Sequence, residues 1–343
     1  MRDALIRTVW YGEGFDALMG RALLTPFEWL YGAASMLVGA LRARNAGRSA
    51  VPTISIGNLT VGGTGKTPVA AWCAAQLAAR GRATALLMRG YGDDEPLVHA
   101  RLNPGVPVFA DPDRRRAAQQ AVAKGARALV LDDGFQHRQM PRDADVVVVS
   151  ADLWSDLPPR LLPAGPFREP LLALRRAHLV IVTRKAATRE RAAVVADAVR
   201  RAAPHVPVAV ALLAPDALCA WESERREPLN ALDGERVLAV AGIGAPEAFT
   251  AQLTAAGAYV ESVAFGDHHA YTASDAAALA LRARTADRVV CTLKDAVKLG
   301  TLWPAEGPPL WYLSQSVVFE SGAARVEAVI DGVLRAAAPL TPA

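Results

Sequence analysis

Cysteine is scarce in this sequence. The chain of 343 residues contains Cys73, Cys219 and Cys291, and no two of them share a C-x-x-C spacing. This pattern argues against a disulfide framework and against a cysteine-based metal site. Because isolated cysteines persist as free thiols in reducing compartments, we expect a protein of the cytosol.

Long hydrophobic runs are also missing. Residues 29–41 are uncharged and mostly apolar, but Glu28 and Arg42 limit the run to fewer than the roughly 20 residues that span a bilayer. The first residues do not combine an apolar core with a cleavage site, as a signal peptide would. The sequence therefore predicts neither a membrane span nor a secretory leader.

The excess of positive over negative charge is small as well. The formal net charge is +4, with 52% hydrophobic and 21% charged residues, a globular composition without low-complexity tracts. Such a mild excess of positive charge argues against a nucleic-acid partner, and it suits an acidic substrate or a membrane surface. A chain of this length predicts one large domain or two medium ones.

A glycine-rich segment is the strongest signal that is present. An apolar run from Ile54 precedes it and an alanine-rich helix pattern follows Pro68, so it reads as a strand, a phosphate-binding loop and a helix. Glycines let backbone N–H groups approach a polyphosphate, while the lysine reaches its β- and γ-phosphates. An ordinary βα turn is the weaker interpretation. The predicted nucleotide contacts are Thr60, Val61, Gly62, Gly63, Thr64, Gly65, Lys66 and Thr67.

Acidic residues follow a second apolar run. Residues 128–131 lead directly into Asp132 and Asp133, the pattern of a strand that places carboxylates beside Mg²⁺ in nucleotide-binding proteins. The hydroxyl of Thr67 would be a further ligand of the metal. We therefore predict a Mg²⁺ site formed by these three residues.

Two further strand ends carry charged residues. Asp94 lies in an acidic loop after the run 83–88, and Arg114 follows the run 106–110. Open α/β sheets bind ligands at the carboxyl ends of their strands, which makes both residues candidates for the site. A solvated acidic turn and a charged helix start are the alternatives.

The order of strand and helix patterns predicts an α/β protein of two domains. Residues 1–210 would form a P-loop domain with a parallel sheet, 222–312 a smaller α/β domain, and 318–343 a helix that packs back on the first. Gly242 and Gly244 do not form a dinucleotide fingerprint, because Glu247 occupies the third glycine position. His268, which follows a strand of the second domain, would orient and activate a hydroxyl together with Asp94, unless it is a structural histidine.

The segment from Trp10 to Arg44 combines aromatic and apolar residues with flanking arginines. Helices of this kind either pack on the core of a domain or lie in a membrane interface. The residues alone leave these two interpretations open.

Several motifs together resemble one family, the tetraacyldisaccharide 4'-kinases of lipid A biosynthesis. The resemblance covers nearly the whole chain in order, and it includes Thr60 at the first position of the phosphate-binding loop. The motifs are residues 60–68, Arg89-Gly90-Tyr91-Gly92, Asp94-Glu95-Pro96, residues 132–137, Leu162-Pro163-Ala164-Gly165-Pro166, Gly242-Ile243-Gly244 and residues 294–298.

The resemblance implies an ATP- and Mg²⁺-dependent enzyme that phosphorylates the 4'-hydroxyl of a tetraacyl glucosamine disaccharide 1-phosphate. It implies Asp94 as the catalytic carboxylate with His268 as its partner, Arg114 as a charge stabiliser, and Glu169 beside the metal. It also implies two α/β domains and an amphipathic N-terminal segment on the cytoplasmic face of the bacterial inner membrane. The resemblance gives no oligomeric state.

Two other functions fit a phosphate-binding loop. A P-loop ATPase or GTPase that acts as a switch or metallochaperone would turn over nucleotide in response to a protein partner. An ATP-dependent carboxylate-activating ligase would also use a glycine-rich loop and a metal. Neither accounts for an amphipathic N-terminal segment or for His268.

Overall fold

The computed structural model describes residues 2–44, 49–90, 94–223, 225–244, 246–267 and 269–336. Contacts divide the chain into two compact units. The first comprises residues 1–90, 103–212 and 318–343, and the second comprises residues 91–102 and 213–317. Apart from the excursion of residues 91–102, the chain passes between them within two long strands, β7 (Val208–Ala220) and β12 (Leu310–Ser321).

A parallel sheet forms the centre of the first unit. Its strand order is β7-β6-β5-β1-β4-β2-β3, and β1 pairs in parallel with both β4 and β5. Every residue of β1, β2 and β4 is buried, as expected for parallel strands covered on both faces. The strands are β1 (Thr53–Asn58), β2 (Thr84–Met88), β3 (Val108–Ala110), β4 (Ala128–Asp132), β5 (Ala144–Ser150) and β6 (Leu179–Arg184).

Helices connect these strands, which confirms the predicted α/β class. The C-terminal helix belongs to this unit, where Arg80 forms ion pairs with Glu327 and Asp331. The helices of the first unit are α1 (Arg2–Tyr11), α2 (Phe15–Arg44), α3 (Lys66–Ala79), α5 (Arg114–Ala123), α6 (Arg189–Ala202) and α10 (Ala323–Ala336), with a 3-10 turn at Leu171–Arg176.

The second unit has the strand order β10-β9-β11-β12-β7-β8. Its first four strands are parallel, whereas β8 is antiparallel to β7. One helix, α4 (Asp94–Leu102), comes from an early part of the chain and packs against α9 (Leu293–Leu299). The other elements are β8 (Arg226–Pro228), β9 (Arg236–Ala241), α7 (Pro246–Ala255), β10 (Tyr259–Ala264), α8 (Ala273–Arg282) and β11 (Arg288–Thr292), with 3-10 turns at Leu229–Leu232 and Ala283–Thr285.

Helix α2 is 30 residues long and has two different faces. Ala17 and Glu28 are buried, and the carboxylate of Glu28 forms an ion pair with Arg160 and accepts the backbone N–H of Leu161. The opposite face exposes large apolar side chains, among them Phe27 and Trp29. Within the described part of the chain, no helix is both long enough and apolar enough to cross a bilayer.

Candidate active site

The phosphate-binding loop leaves the end of β1 and enters α3. Gly62 has φ +114°, and Gly65, at the N-terminal cap of α3, has φ +87°. Side chains strain a backbone in this left-handed region, which explains the glycines at these two positions. Gly65 has no side chain to cap the helix, so the first N–H groups of α3 are available to an anion.

Polar side chains from neighbouring strands hold the loop in this conformation. The Nδ2 of Asn58 donates to the carbonyl oxygen of Thr60 at 2.6 Å and to Oγ1 of Thr64 at 3.0 Å. The hydroxyl of Thr183, at the end of β6, donates to the carbonyl oxygen of Thr64 at 2.8 Å. Since these groups are buried, the loop is preorganised before it binds a ligand.

Lys66 faces Asp133, the carboxylate that follows β4. Its Nζ lies 3.5 Å from Oδ1 of Asp133, and NH1 of Arg168 lies 3.0 and 3.2 Å from the two oxygens of the same carboxylate. Partial burial raises the pKa of Asp133, but the charges of Lys66 and Arg168 and their hydrogen bonds outweigh burial, and the pKa lies below its ordinary value. Asp133 is therefore an anion held between two cations.

Asp132, the last residue of β4, is buried and lies near Arg114. Arg114 begins α5 and is itself only 3% exposed, with NH2 3.5 Å from the carbonyl oxygen of Asp132. The cap of α5 is Asp113, whose carboxylate accepts the N–H groups of Arg115 and Arg116. This capping orients the first turn of α5 and directs Arg114 inward.

The predicted metal residues do not form a cage. Among the described residues, no group of three or more histidine, cysteine, aspartate or glutamate side chains is arranged to hold a metal ion. Magnesium beside a nucleotide takes one or two protein ligands and completes its shell with phosphates and water, so Thr67 and Asp132 fit this ion. Glu169 forms an ion pair with Arg176 at 2.8 Å, and its role beside a metal stays a prediction.

Asp94 lies in the second unit, as the first residue of α4. The sequence predicted an acidic loop here, whereas the structure has a helix. Pro96 is compatible with this helix because it falls in the first turn, where a missing N–H costs no hydrogen bond. The Oδ2 of Asp94 lies 3.8 Å from Nζ of Lys298. His268 lies outside the described residues, so its pairing with Asp94 stays a prediction.

Sequence reasoning missed the residues that support the loop. Asn58 is the last residue of β1 and Thr183 the last but one of β6, and each places a polar side chain at the end of a buried apolar segment, a signal visible in the sequence. Arg168 lies in an irregular proline-rich segment, and no local pattern connects it with Asp133. Its backbone N–H, which donates to the carbonyl oxygen of Leu59 at 2.7 Å, anchors that segment against the end of β1.

Arginine charges surround His137, which follows the β4 carboxylates. Burial, followed by the charges of Arg114, Arg42, Arg89 and Arg142, lowers the pKa of His137 to about 4 from its ordinary value of 6.5. The imidazole is therefore neutral at physiological pH. This concentration of positive charge favours an anionic ligand.

The depressed pKa of His137 predicts a loss of stability in acid. Between pH 6.5 and about 4 the unfolded chain binds a proton that the folded protein does not, so unfolding becomes easier as the pH falls through this window. We expect the His137 ring signals to titrate with a midpoint near pH 4 in an NMR titration. The substitution His137→Gln should flatten the pH dependence of stability there. A midpoint near 6.5 would contradict this interpretation.

Comparison with known proteins gives one consistent result. A model of the family described as tetraacyldisaccharide-1-P 4'-kinase (LpxK) matches residues 20–94 and 93–335. The chain is 40% identical to the tetraacyldisaccharide 4'-kinase of Anaeromyxobacter sp. (strain K) over 98% of both chains, and 42% identical to that of Anaeromyxobacter dehalogenans (strain 2CP-C) over 86% of both.

Solved structures agree with the sequence comparisons. LpxK from Aquifex aeolicus, whose structure was solved in complex with ATP, superimposes with a TM-score of 0.71 and 26% identity, covering 92% of this chain and 99% of that chain. Since the family model matches most of the sequence and full-length relatives are about 40% identical, the chain belongs to the tetraacyldisaccharide-1-P 4'-kinase family.

Proposed function

We propose that the protein transfers the γ-phosphoryl group of ATP to the 4'-hydroxyl of a tetraacyl glucosamine disaccharide 1-phosphate, a step of lipid A biosynthesis. The observation that carries this proposal is the preorganised phosphate-binding loop, with Lys66 directed at the Asp133 carboxylate, in a member of this kinase family. The relatives' names supply the identity of the acceptor.

The residues of the first unit serve the nucleotide. The N–H groups of the first turn of α3 and the ammonium of Lys66 bind its phosphates, and Arg114 offsets charge that develops on the transferred group. The N–H groups of Val61 and Thr64 instead donate to the carbonyl oxygens of Pro166 and Gly62 and shape the loop. Thr67 and Asp132 are the proposed Mg²⁺ ligands. When bound, Mg²⁺ neutralises charge on the β- and γ-phosphate oxygens.

Asp133 has a different proposed role from Asp132. Because it already pairs with Lys66 and Arg168, its carboxylate keeps both cations oriented before nucleotide arrives. Phosphate oxygens would compete with this carboxylate for the ammonium of Lys66. We propose that Asp133 also contributes to the water shell of the metal, as its position after β4 indicates.

Asp94 is the proposed general base. A carboxylate within hydrogen-bond reach of an attacking hydroxyl can accept its proton, and Asp94 presents a carboxylate at the start of α4. His268 is proposed as its partner in this step. In the alternative function, a partner-dependent nucleotide switch, no such base is needed.

Transfer of label from γ-³²P-ATP to tetraacyl-disaccharide 1-phosphate in detergent micelles tests the proposal. We expect labelled lipid that depends on both Mg²⁺ and the acceptor. Hydrolysis of ATP with unlabelled lipid would overturn the assignment of the acceptor and favour the switch. Absence of both activities in folded protein would overturn the kinase assignment.

We propose in addition that the protein docks on the cytoplasmic leaflet of the inner membrane through α2. The apolar face of this helix supports the proposal, with Leu23, Phe27, Trp29 and Leu30 each at least 60% exposed. Moving an acylated substrate into water costs about 0.8 kcal/mol per methylene, so an enzyme that acts on it works at the membrane. An apolar cavity of about 260 Å³ lies beside α1 and α2 in the first unit.

Vesicle sedimentation tests the docking face. We expect wild type to sediment with vesicles of phosphatidylethanolamine and phosphatidylglycerol, and the double variant Phe27→Glu/Leu30→Glu to stay in solution, since each charge opposes burial of the face. Leu172→Glu, which alters an exposed leucine elsewhere in the first unit, is the matched control. Equal sedimentation of the α2 variant and the wild type would remove α2 from this role.

A further inference from the structure

Lys298 connects two parts of the second unit that are distant in the sequence. It lies on α9, and its Nζ is 3.8 Å from Oδ2 of Asp94 at the start of α4. Both side chains are largely shielded from solvent, with exposed fractions of 18% for Lys298 and 14% for Asp94. An ion pair shielded to this degree restrains both groups more strongly than an exposed pair does.

The same ammonium has two further contacts. It donates to the carbonyl oxygen of His269 at 3.1 Å, and it lies 5.6 Å from the centroid of the Tyr271 ring. His269 directly follows His268 in the sequence. One side chain therefore restrains the proposed base and also the backbone next to its proposed partner.

A buried carboxylate fixes the ring beneath Lys298. Asp295 is fully buried and accepts hydrogen bonds from the hydroxyls of Tyr271, at 3.0 Å, and Thr292, at 2.6 Å. It lies one helical turn before Lys298 on α9. Gly242 lies over this pair, where a Cβ would come within 2.9 Å of both Asp295 Oδ1 and the Tyr271 hydroxyl.

These contacts give a role to residues 294–298, a motif that the nucleotide chemistry does not use. We propose that Lys298 is a positioning residue for phosphoryl transfer. It holds the carboxylate of Asp94 in the orientation in which this carboxylate takes up the proton of the acceptor hydroxyl. Asp295 and Tyr271 in turn hold Lys298. This inference rests on the proposed function of Asp94 as the general base.

A double-mutant cycle tests the inference, with Asp94→Asn, Lys298→Met and the combined variant assayed by transfer of label from γ-³²P-ATP. Methionine keeps an unbranched side chain up to the ε position and removes the charged nitrogen. We expect Lys298→Met to lower kcat by about 100-fold, because small displacements of a catalytic group have effects of this size. The KM for ATP should stay near the wild-type value, and Lys298→Arg should restore much of the lost kcat.

The combined variant separates a role of Lys298 that acts through Asp94 from a role that is independent of Asp94. If Lys298 acts through Asp94, adding Lys298→Met to Asp94→Asn lowers kcat little further. If the two losses multiply, Lys298 acts independently and this inference is overturned, while the role of Asp94 stands. If Asp94→Asn alone keeps full activity, the proposed base is wrong, and the positioning role is overturned with it.

A surface ion pair of the same unit provides the control. Arg282 pairs with Glu261 at an exposed site, so Arg282→Met removes one positive charge without touching α9. Its kcat should equal that of the wild type. Lys298→Met should melt below Arg282→Met, because it removes a shielded ion pair, so kcat is measured at a temperature at which both variants are folded. A kcat loss that Lys298→Arg does not restore, or a loss confined to the KM of the lipid, would contradict the positioning role.

Discussion

Replacing Lys66 with alanine is expected to lower the rate of phosphoryl transfer about 10³-fold. The ammonium is placed by the first turn of α3 and held by its ion pair with Asp133, from which phosphate oxygens would displace it. Removing it leaves the charge that develops on the phosphoryl oxygens uncompensated. Measurement of kcat and of the ATP dissociation constant separates the chemical effect from weakened binding.

The matched control for this prediction is Lys124→Ala. Lys124 caps the C-terminal end of α5 in the same unit, where its Nζ lies 5.6 Å from the Phe109 ring. This variant should retain wild-type turnover. Since the Lys66 ion pair is partly exposed, it contributes little stability, and both variants should melt near the wild type. Wild-type turnover in Lys66→Ala would show that this loop does not serve the reaction.

Replacing Asp94 with asparagine is expected to lower kcat by about 10²- to 10⁴-fold, the range that a general base contributes. Asparagine keeps the shape of the side chain and removes its capacity to accept a proton at neutral pH. Nucleotide affinity should change little, because Asp94 lies in the second unit and the phosphate-binding loop in the first. Single-turnover transfer of label and ATP binding by calorimetry measure the two quantities.

Asp197→Asn is the matched control for the loss of a carboxylate. Asp197 pairs with Arg200 on the exposed face of α6, and neutralising it should leave kcat unchanged. A fall in ATP affinity as large as the fall in kcat would instead place Asp94 among the nucleotide-binding residues. Unchanged turnover in Asp94→Asn would remove it from the chemistry.

Local patterns were sufficient to find the phosphate-binding loop and the carboxylates after β4. Glycine at positions 62 and 65 reflects a backbone requirement that acts within a few residues, so it is visible in the sequence. The buried strand β4 is visible for a similar reason, since it is apolar up to its final aspartate, as is typical of a parallel strand covered on both faces.

For the N-terminal segment, the local pattern did not decide between packing on the core and exposure to a membrane. Its apolar and aromatic residues predicted either packing on the core or exposure to a membrane, and α2 has a face of each kind. Glu28 is buried against Arg160, while Phe27 beside it is exposed. Which residue faces the core depends on partners more than 100 positions away in the sequence.

By itself, the sequence determined the α/β class, the phosphate-binding loop, the candidate residues Lys66 and Asp132, and the resemblance to a kinase family. Only the tertiary structure decided that Arg168 pairs with Asp133, that Asp94 begins a helix of the second unit, and that Lys298 lies beside it. The physical reason is the range of the interactions. Backbone conformation and burial leave local patterns, whereas ion pairs between distant segments depend on how the chain folds.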